Sequence, residues 1–317
     1  MTRYVLGRVG QAAIVLLAAY TVTFVILNLL PSDPVSLRLA GASTDVANMS
    51  PAQLHQLKAQ FGLDKPVIVQ YFTMLWHALH LDFGQSTSLS VPVSTVLSQR
   101  LSHTLVLTGI SFLLMLVFGA GLAYLAAYVQ WRPAKVVLTR LPALGVSMPQ
   151  FWVGLLLIQV FSFELRAFPS TGTSDGLRSY LLPGVAMALP GSAMLAQVLM
   201  GSFARTLREP YITTARAKGL SHGVIVFRHA LRNAALPALT ILGLVTAQTV
   251  TYAVVVESVF SISGVGQLAE QAAISQDVPV VQGVVLVAAA LFVALNLVVD
   301  LLYPLLDPRV AVTPKVV

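Results

Sequence analysis

His77 and His80 stand three residues apart, a helical spacing that could hold a metal ion. No third histidine or carboxylate cluster accompanies them, so they read as histidines lying at a membrane interface. The chain has no cysteine, which rules out disulfides, thiolate nucleophiles and Cys-based zinc sites. A G-x-x-x-x-G-K-[ST] phosphate loop is absent, and Lys218-Gly219 has the wrong order for one. A hydrolase would need a nucleophile paired with a base, or metal ligands, facing a cavity, and no such pair is visible. The chemistry on offer is therefore recognition rather than reaction, and it concentrates in one basic stretch.

That stretch is Arg205-Thr206-Leu207-Arg208-Glu209-Pro210-Tyr211-Ile212-Thr213-Thr214-Ala215-Arg216-Ala217-Lys218-Gly219-Leu220. Pro210 suits the first turn of a helix and Gly219 its left-handed stop. The helix between them is only about nine residues, roughly 13 Å. Tyr211, Ala215 and Lys218 fall on one side by the i, i+4, i+7 rule. Ser221 can cap a second helix carrying Arg228, His229, Arg232 and Asn233, and Leu236-Pro237 follows. So short a helix is marginal alone in water and must pack on something. Two readings fit the residues equally. One is a basic loop resting on anionic headgroups. The other is a peg seated in a groove of a cytoplasmic protein, with small Ala215 and Gly219 permitting close approach.

The elements that hold this stretch are set by composition. Of 317 residues, 10% are charged and 56% hydrophobic. Soluble domains carry about 25% charged residues, so these proportions describe an integral membrane protein and exclude intrinsic disorder. Six stretches of at least 20 residues lack Asp, Glu, Lys and Arg: residues 9–32, 101–131, 141–163, 179–204, 233–256 and 278–299. Each is long enough to cross a bilayer as a helix. The many short alternating strands of a barrel are absent. The expected fold is an all-α membrane protein with six transmembrane helices. Residues 9–32 are too long in their apolar core for a cleaved signal and read as a retained first helix.

Placing the N-terminus in the cytoplasm puts 13 of the 19 Lys and Arg inside and 6 outside, so both termini are expected to be cytoplasmic. The net charge of +7 is then mainly a topology signal. No basic-aromatic module points to nucleic acid.

Between the first two windows, residues 31–100 form a long outer excursion that should have structure of its own. Ser50-Pro51 reads as a helix start and Gly62 as its cap. Residues 66–81 place Ile68, Tyr71, Phe72, Leu75, Trp76 and Leu79 at helical spacing, an amphipathic surface helix. Residues 83–99, crowded with Ser, Thr and Gln, read as loop. The excursion is expected to be a helical extracytoplasmic segment sealing the bundle, with a docking surface for an outer partner as the alternative.

Ala215-Arg216-Ala217-Lys218-Gly219, with Arg228-His229-Ala230-Leu231-Arg232-Asn233 and Leu236-Pro237, resembles the EAA loop of ABC importer permeases. Thr213-Thr214-Ala215 stand where the motif's Glu-Ala-Ala would be. Further matches are Leu29-Leu30-Pro31-Ser32-Asp33-Pro34, Ser147-Met148-Pro149-Gln150-Phe151-Trp152, residues 257–266, Asp277-Val278-Pro279-Val280-Val281-Gln282-Gly283 and Leu306-Asp307-Pro308-Arg309. They cover most of residues 1–310 and resemble most the dipeptide/oligopeptide/nickel branch, in particular the first of its two permease subunits.

The resemblance implies a bacterial inner-membrane importer. Its parts would be two permease subunits, two ABC ATPase subunits that bind ATP and Mg, and an extracytoplasmic substrate-binding protein. This chain would hold no cofactor and catalyse nothing. Residues 1–30 would be the first helix, 31–100 the outer segment, 101–310 the permease core with coupling loop 205–236, and 311–317 a cytoplasmic tail. Contact with the ATPase would fall to Glu209, Tyr211, Thr214, Ala215, Arg216, Lys218 and Gly219. ATP-driven closure of the ATPase pair would move that helix and swing the later spans between two packings.

Among polar residues within the windows, Gln159, Gln197, Gln248, Thr249 and Asn296 are candidates for the pathway, since polar groups facing lipid are unfavourable. Pro142, Pro149, Pro183, Pro190 and Pro237 supply kinks. Glu257 sits at the outer end of the fifth window, and the loop of residues 260–266 that follows, with Phe260 and Gly264, is rich in Ser and Gly and is expected to be flexible and to lie beside the outer gate. An uncharged pathway suits di- or oligopeptides recognised mainly by a separate binding protein. The alternatives are nickel or another small solute of the same branch, or an ion-coupled carrier. A carrier needs ionisable groups near the midplane, and the windows hold only His103, near an end.

Overall fold

The computed structural model describes residues 2–29 and 65–306. The expected helix start at Ser50-Pro51 and the cap at Gly62 lie outside the described residues. Helix α1 is Thr2–Leu29, α2 Val67–Leu79, α3 Val93–Tyr128, α4 Arg132–Ser147 and α5 Gln150–Leu157, the last running into a π-helical turn, Ile158–Glu164. A 3-10 turn, Gly176–Tyr180, leads into α6, Leu181–Thr206. Then come α7, Pro210–Ala217, α8, His222–Val224, a second π-helical turn, Ile225–Ala230, and α9, Leu231–Val259. Helices α10, Val265–Ile274, and α11, Val278–Leu306, complete the series.

Four helical stretches are continuous, long and apolar enough to cross a membrane: Gly7–Leu27, Val93–Tyr128, Gly176–Thr206 and Val278–Leu297. Two more candidates are bent pairs. Arg132–Ser147 and Gln150–Glu164 meet at 103°, and His222–Thr246 and Thr251–Val259 at 59°. The described residues thus hold four spans, or up to six if each bent pair is one. The expected third span, residues 141–163, is not one straight helix. The chain is extended at Met148 (ψ 128°) and at Pro149 (ψ 133°), which starts the second limb. A residue preceding proline is pushed out of the helical region, so an unbroken apolar composition conceals a broken backbone.

A second correction concerns residues 83–99. Only residues up to 92 are loop; α3 starts at Val93, well before the charge-free window, and is 36 residues long. Val93, Val96 and Leu97 repeat at helical spacing and are buried.

Two compact units divide the chain: residues 1–104 with 263–293, and residues 105–262 with 294–317. The first has a core of Val93, Val96 and Leu97 from α3, Val265, Leu268 and Ala272 from α10, and Val280 and Val284 from α11. In the second, α6 is central and packs against α9, α4 and α5. Small residues allow this. A Cβ on Gly119 would lie 2.8 Å from the Ser192 carbonyl, and one on Gly191 would lie 2.6 Å from Val245 Cγ1. Such close approach is how helices associate where lipid supplies no hydrophobic drive.

Candidate coupling and pathway site

Helix α7 is built as its residues dictate. Pro210 takes the first helical position, where its missing N–H would be unsatisfied anyway. Glu209 precedes it in extended conformation, and its carbonyl accepts from Ile212 N at 3.0 Å. At the other end Gly219 adopts φ +77°, a region that L side chains rarely enter. The Gly219 N–H donates to the Arg216 carbonyl (2.9 Å) and the Leu220 N–H to the Ala215 carbonyl (3.3 Å). This paired closure satisfies carbonyls that the helix end would otherwise leave unmet.

The helix turns Ile212 and Ala215 inward, both buried. They join Phe203 of α6, Ile225, Val226 and Ala230 of the π-helical turn and Ala234 of α9 in one cluster. Of the three residues expected to share one side, Tyr211 and Lys218 are exposed and Ala215 is buried. Ala215 is small for packing inside its own chain, not for a partner's approach. Tyr211 is exposed along its flank but tied back: its hydroxyl donates to the His229 carbonyl at 3.4 Å and accepts from Asn233 Nδ2 at 2.8 Å. Glu209, Thr214, Arg216, Lys218 and Gly219 are exposed. Leu220, Val224 and Phe227 are exposed apolar residues of the same stretch that sequence reasoning did not single out. Their spacing carries no mark of exposure.

On the spans, the pathway candidates separate. Gln197 on α6 and Gln248 on α9 are exposed. Gln248 belongs to a face of α9 that also exposes Pro237, Thr240, Leu244, Thr251 and Val255, recurring every three or four residues. Thr249 points elsewhere: it is buried and its hydroxyl donates to the Val245 carbonyl at 2.9 Å, so it is removed from that face. Gln159 is exposed and its amide donates to Glu164 Oε1 at 3.4 Å, while Asn296 is half-buried.

Glu257, Phe260 and Gly264 are all buried. The Ile262 N–H donates to the Glu257 carbonyl (2.8 Å), and the Phe260 carbonyl accepts from Gly172 N (3.0 Å). The Phe260 ring lies against Gly154, where an added Cβ would come within 3.0 Å. The flexibility expected from its Ser and Gly content is therefore absent at the start of this loop, which is pinned on both sides.

Asp277 carries a role that the sequence did not disclose. Fully buried, it accepts from Ser86 Oγ (2.6 Å), Ser88 Oγ (2.7 Å) and Ser88 N (3.0 Å), and its other oxygen accepts from Val280 N in the first turn of α11 (3.3 Å). Burial pushes its carboxyl up, but the Ser86 and Ser88 hydroxyls and the Ser88 and Thr87 amides outweigh that and hold it below the usual carboxylate value. His77 and His80 are spoken for locally: His77 Nδ1 lies 2.9 Å from Asp82 Oδ2, and His80 Nδ1 lies 2.8 Å from the Trp76 carbonyl. Among the described residues no three His, Asp or Glu side chains gather as a metal site.

Residues 84–312 match the family described as "Binding-protein-dependent transport system inner membrane component", and residues 1–108 match its N-terminal companion. A Brucella suis protein, named only provisionally as the permease of a peptide transport system, is 37% identical over 317 residues, covering 98% of this chain and 99% of that one. The glutathione transport system permease protein GsiC of Salmonella choleraesuis is 37% identical over 314 residues with the same coverage. In three dimensions the chain is similar to the inward-facing MetNI methionine ABC transporter, with a TM-score of 0.57 and 16% identity over 67% of this chain and 96% of that one. This likeness concerns the fold alone. The chain belongs to the family of binding-protein-dependent transport system inner membrane components: it is an ABC importer permease, a multi-pass protein of the inner membrane.

Proposed function

We propose that this permease imports short peptides as one half of a pseudo-twofold heterodimer with a second permease subunit. Two ABC ATPases supply ATP hydrolysis, and an extracytoplasmic binding protein delivers the substrate. The observation that carries the mechanism is the seating of α7. Its inner side is locked into the core by Ile212 and Ala215, while Thr214, Arg216 and Lys218 face outward from the same short helix. A helix held on one side only can receive a partner on the other and pass its displacement inward. Closure of the ATPase pair would move α7, and α6 and α9 would follow because they share its cluster.

The exposed face of α9, uncharged and carrying Thr240, Gln248 and Thr251 among apolar residues, together with the exposed Gln197 of α6, supports an uncharged lining with polar positions. Such a lining suits a peptide, whose specificity is set by the binding protein. The names of the relatives, a peptide and a glutathione permease, favour peptide over nickel or another small solute.

Because the chain has no cysteine, Thr214→Cys gives a single cross-linking position. In the assembled transporter it should form a bond with a cysteine placed in the ATPase groove, with a yield that changes when ATP is trapped. Absence of any ATPase adduct, in a complex that still transports, would overturn the assignment.

A further inference from the structure

We propose that α2 is an interfacial membrane helix: its free apolar side, formed by Ile68, Phe72, Trp76 and Leu79, lies in the outer leaflet where acyl chains meet headgroups. The first support is depth. The opposite side of α2 is fastened to α1. The Tyr20 hydroxyl donates to the Tyr71 carbonyl at 2.9 Å, and the hydroxyls of Thr21 and Tyr71 are 2.8 Å apart. The Tyr71 ring stands 5.2 Å from that of Tyr20 and 5.3 Å from that of Phe24. These α1 residues belong to the span Gly7–Leu27. Tyr20 precedes its end by seven residues and Phe24 by three, or roughly 10 and 4 Å along a helix axis. Helix α2 is therefore fixed at a level inside the outer end of a membrane span, where water does not surround it.

The second support is the division of its surface. Gln70, Tyr71 and Met74 face the packed side. Ile68, Phe72, Trp76 and Leu79 are each more than three-fifths exposed. Thr73, His77 and His80 form a polar edge beside them, with His77 against Asp82. An apolar side flanked by a polar edge is what a helix lying in the membrane plane requires. The Trp76 ring meets that of His80 tilted at 52°, 4.7 Å between centroids, and tryptophan favours this boundary.

The third support is continuity. Val22, Val25 and Ile26 are exposed on α1 at the same level, so the free side of α2 extends a surface that already faces lipid. Lipid, not the extracytoplasmic binding protein, is the occupant.

The test uses spin labels on single cysteines at Phe72 and Thr73. The assembled transporter, with partner subunits freed of cysteine, is reconstituted in phosphatidylethanolamine–phosphatidylglycerol vesicles. Oxygen should relax the label at Phe72 in preference to a water-soluble nickel chelate, and the two positions should differ in that ratio by more than about threefold. A label at Leu79 should repeat the result if Phe72→Cys assembles poorly. Preferential relaxation at Phe72 by the nickel chelate would place this side in water and overturn the proposal. So would protection from both agents, or immobilisation when the binding protein is added, since either places protein there. Transport activity is read separately and does not depend on this outcome.

Discussion

The Ser86 hydroxyl donates a 2.6 Å hydrogen bond to the Asp277 carboxylate across 191 positions of sequence. With the exposed Ser88 and the first turn of α11 it forms one clasp around a buried carboxylate. The loop before α3 and the start of α11 are thereby fixed to each other by charge-assisted bonds, which are stronger than neutral ones.

Asp277→Asn should weaken the protein by about 1–3 kcal/mol, because an amide cannot accept at both ends and leaves either the buried Ser86 hydroxyl or the buried Val280 N–H without its charged acceptor. Ser86→Ala, which removes one of several donors, should cost less. Thermal unfolding of the purified protein measures both.

The same clasp sets a pH dependence. The folded carboxyl titrates below its ordinary value of 3.8. Its contribution is therefore full above that value and lost as pH falls through the lower, folded one. The stability gap between the native protein and Asp277→Asn should be constant near neutrality and shrink in strong acid. A gap that instead widens on acidification would refute the clasp.

Gly219 is a test of backbone against surface. A Cβ there meets nothing within 4 Å, yet φ is +77°. Gly219→Ala should cost about 1–2 kcal/mol from the left-handed conformation alone, and Gly219→Asn less. Gly219→Glu should still insert in the membrane but lose substrate-stimulated ATP turnover in the complex. Undiminished turnover would show that nothing docks there.

Gly119 and Gly201 form a matched pair. An added Cβ at Gly119 strikes the Ser192 carbonyl at 2.8 Å, whereas one at Gly201 meets nothing within 4 Å. Gly119→Ala should destabilise the chain by about 1–3 kcal/mol through overpacking. Gly201→Ala should leave it unchanged or raise it by up to about 1 kcal/mol through reduced unfolded-state freedom. Thermal unfolding of the two variants decides.

The helical class and the apolar stretches were legible because a bilayer demands long runs without charge. The caps of α7 were legible for a local reason: Pro210 and Gly219 each satisfy a constraint of their own backbone. Continuity was not. Pro149 was legible as a kink, but counting charges over residues 141–163 gave no sign that the two limbs would meet at 103°. Serine and threonine content disguised the start of α3, although Val93, Val96 and Leu97 already had helical spacing. The inward turn of Ala215 and Thr249 depends on neighbours remote in sequence, as does the partner of Asp277. The Ser and Gly content after Glu257 suggested looseness, but Phe260 is anchored by a carbonyl and by a fitted glycine.

The cluster joining Ile212 to Phe203, Ile225 and Ala234 has a mechanical meaning. A closely packed interior is barely compressible. If α7 receives the ATPase as proposed, little of its stroke would be lost before it reached α6 and α9, and even a small rotation of the motor would arrive undiminished. Substituting alanine for Ile212 would introduce backlash: fuel would still be consumed, and each cycle would deliver less travel.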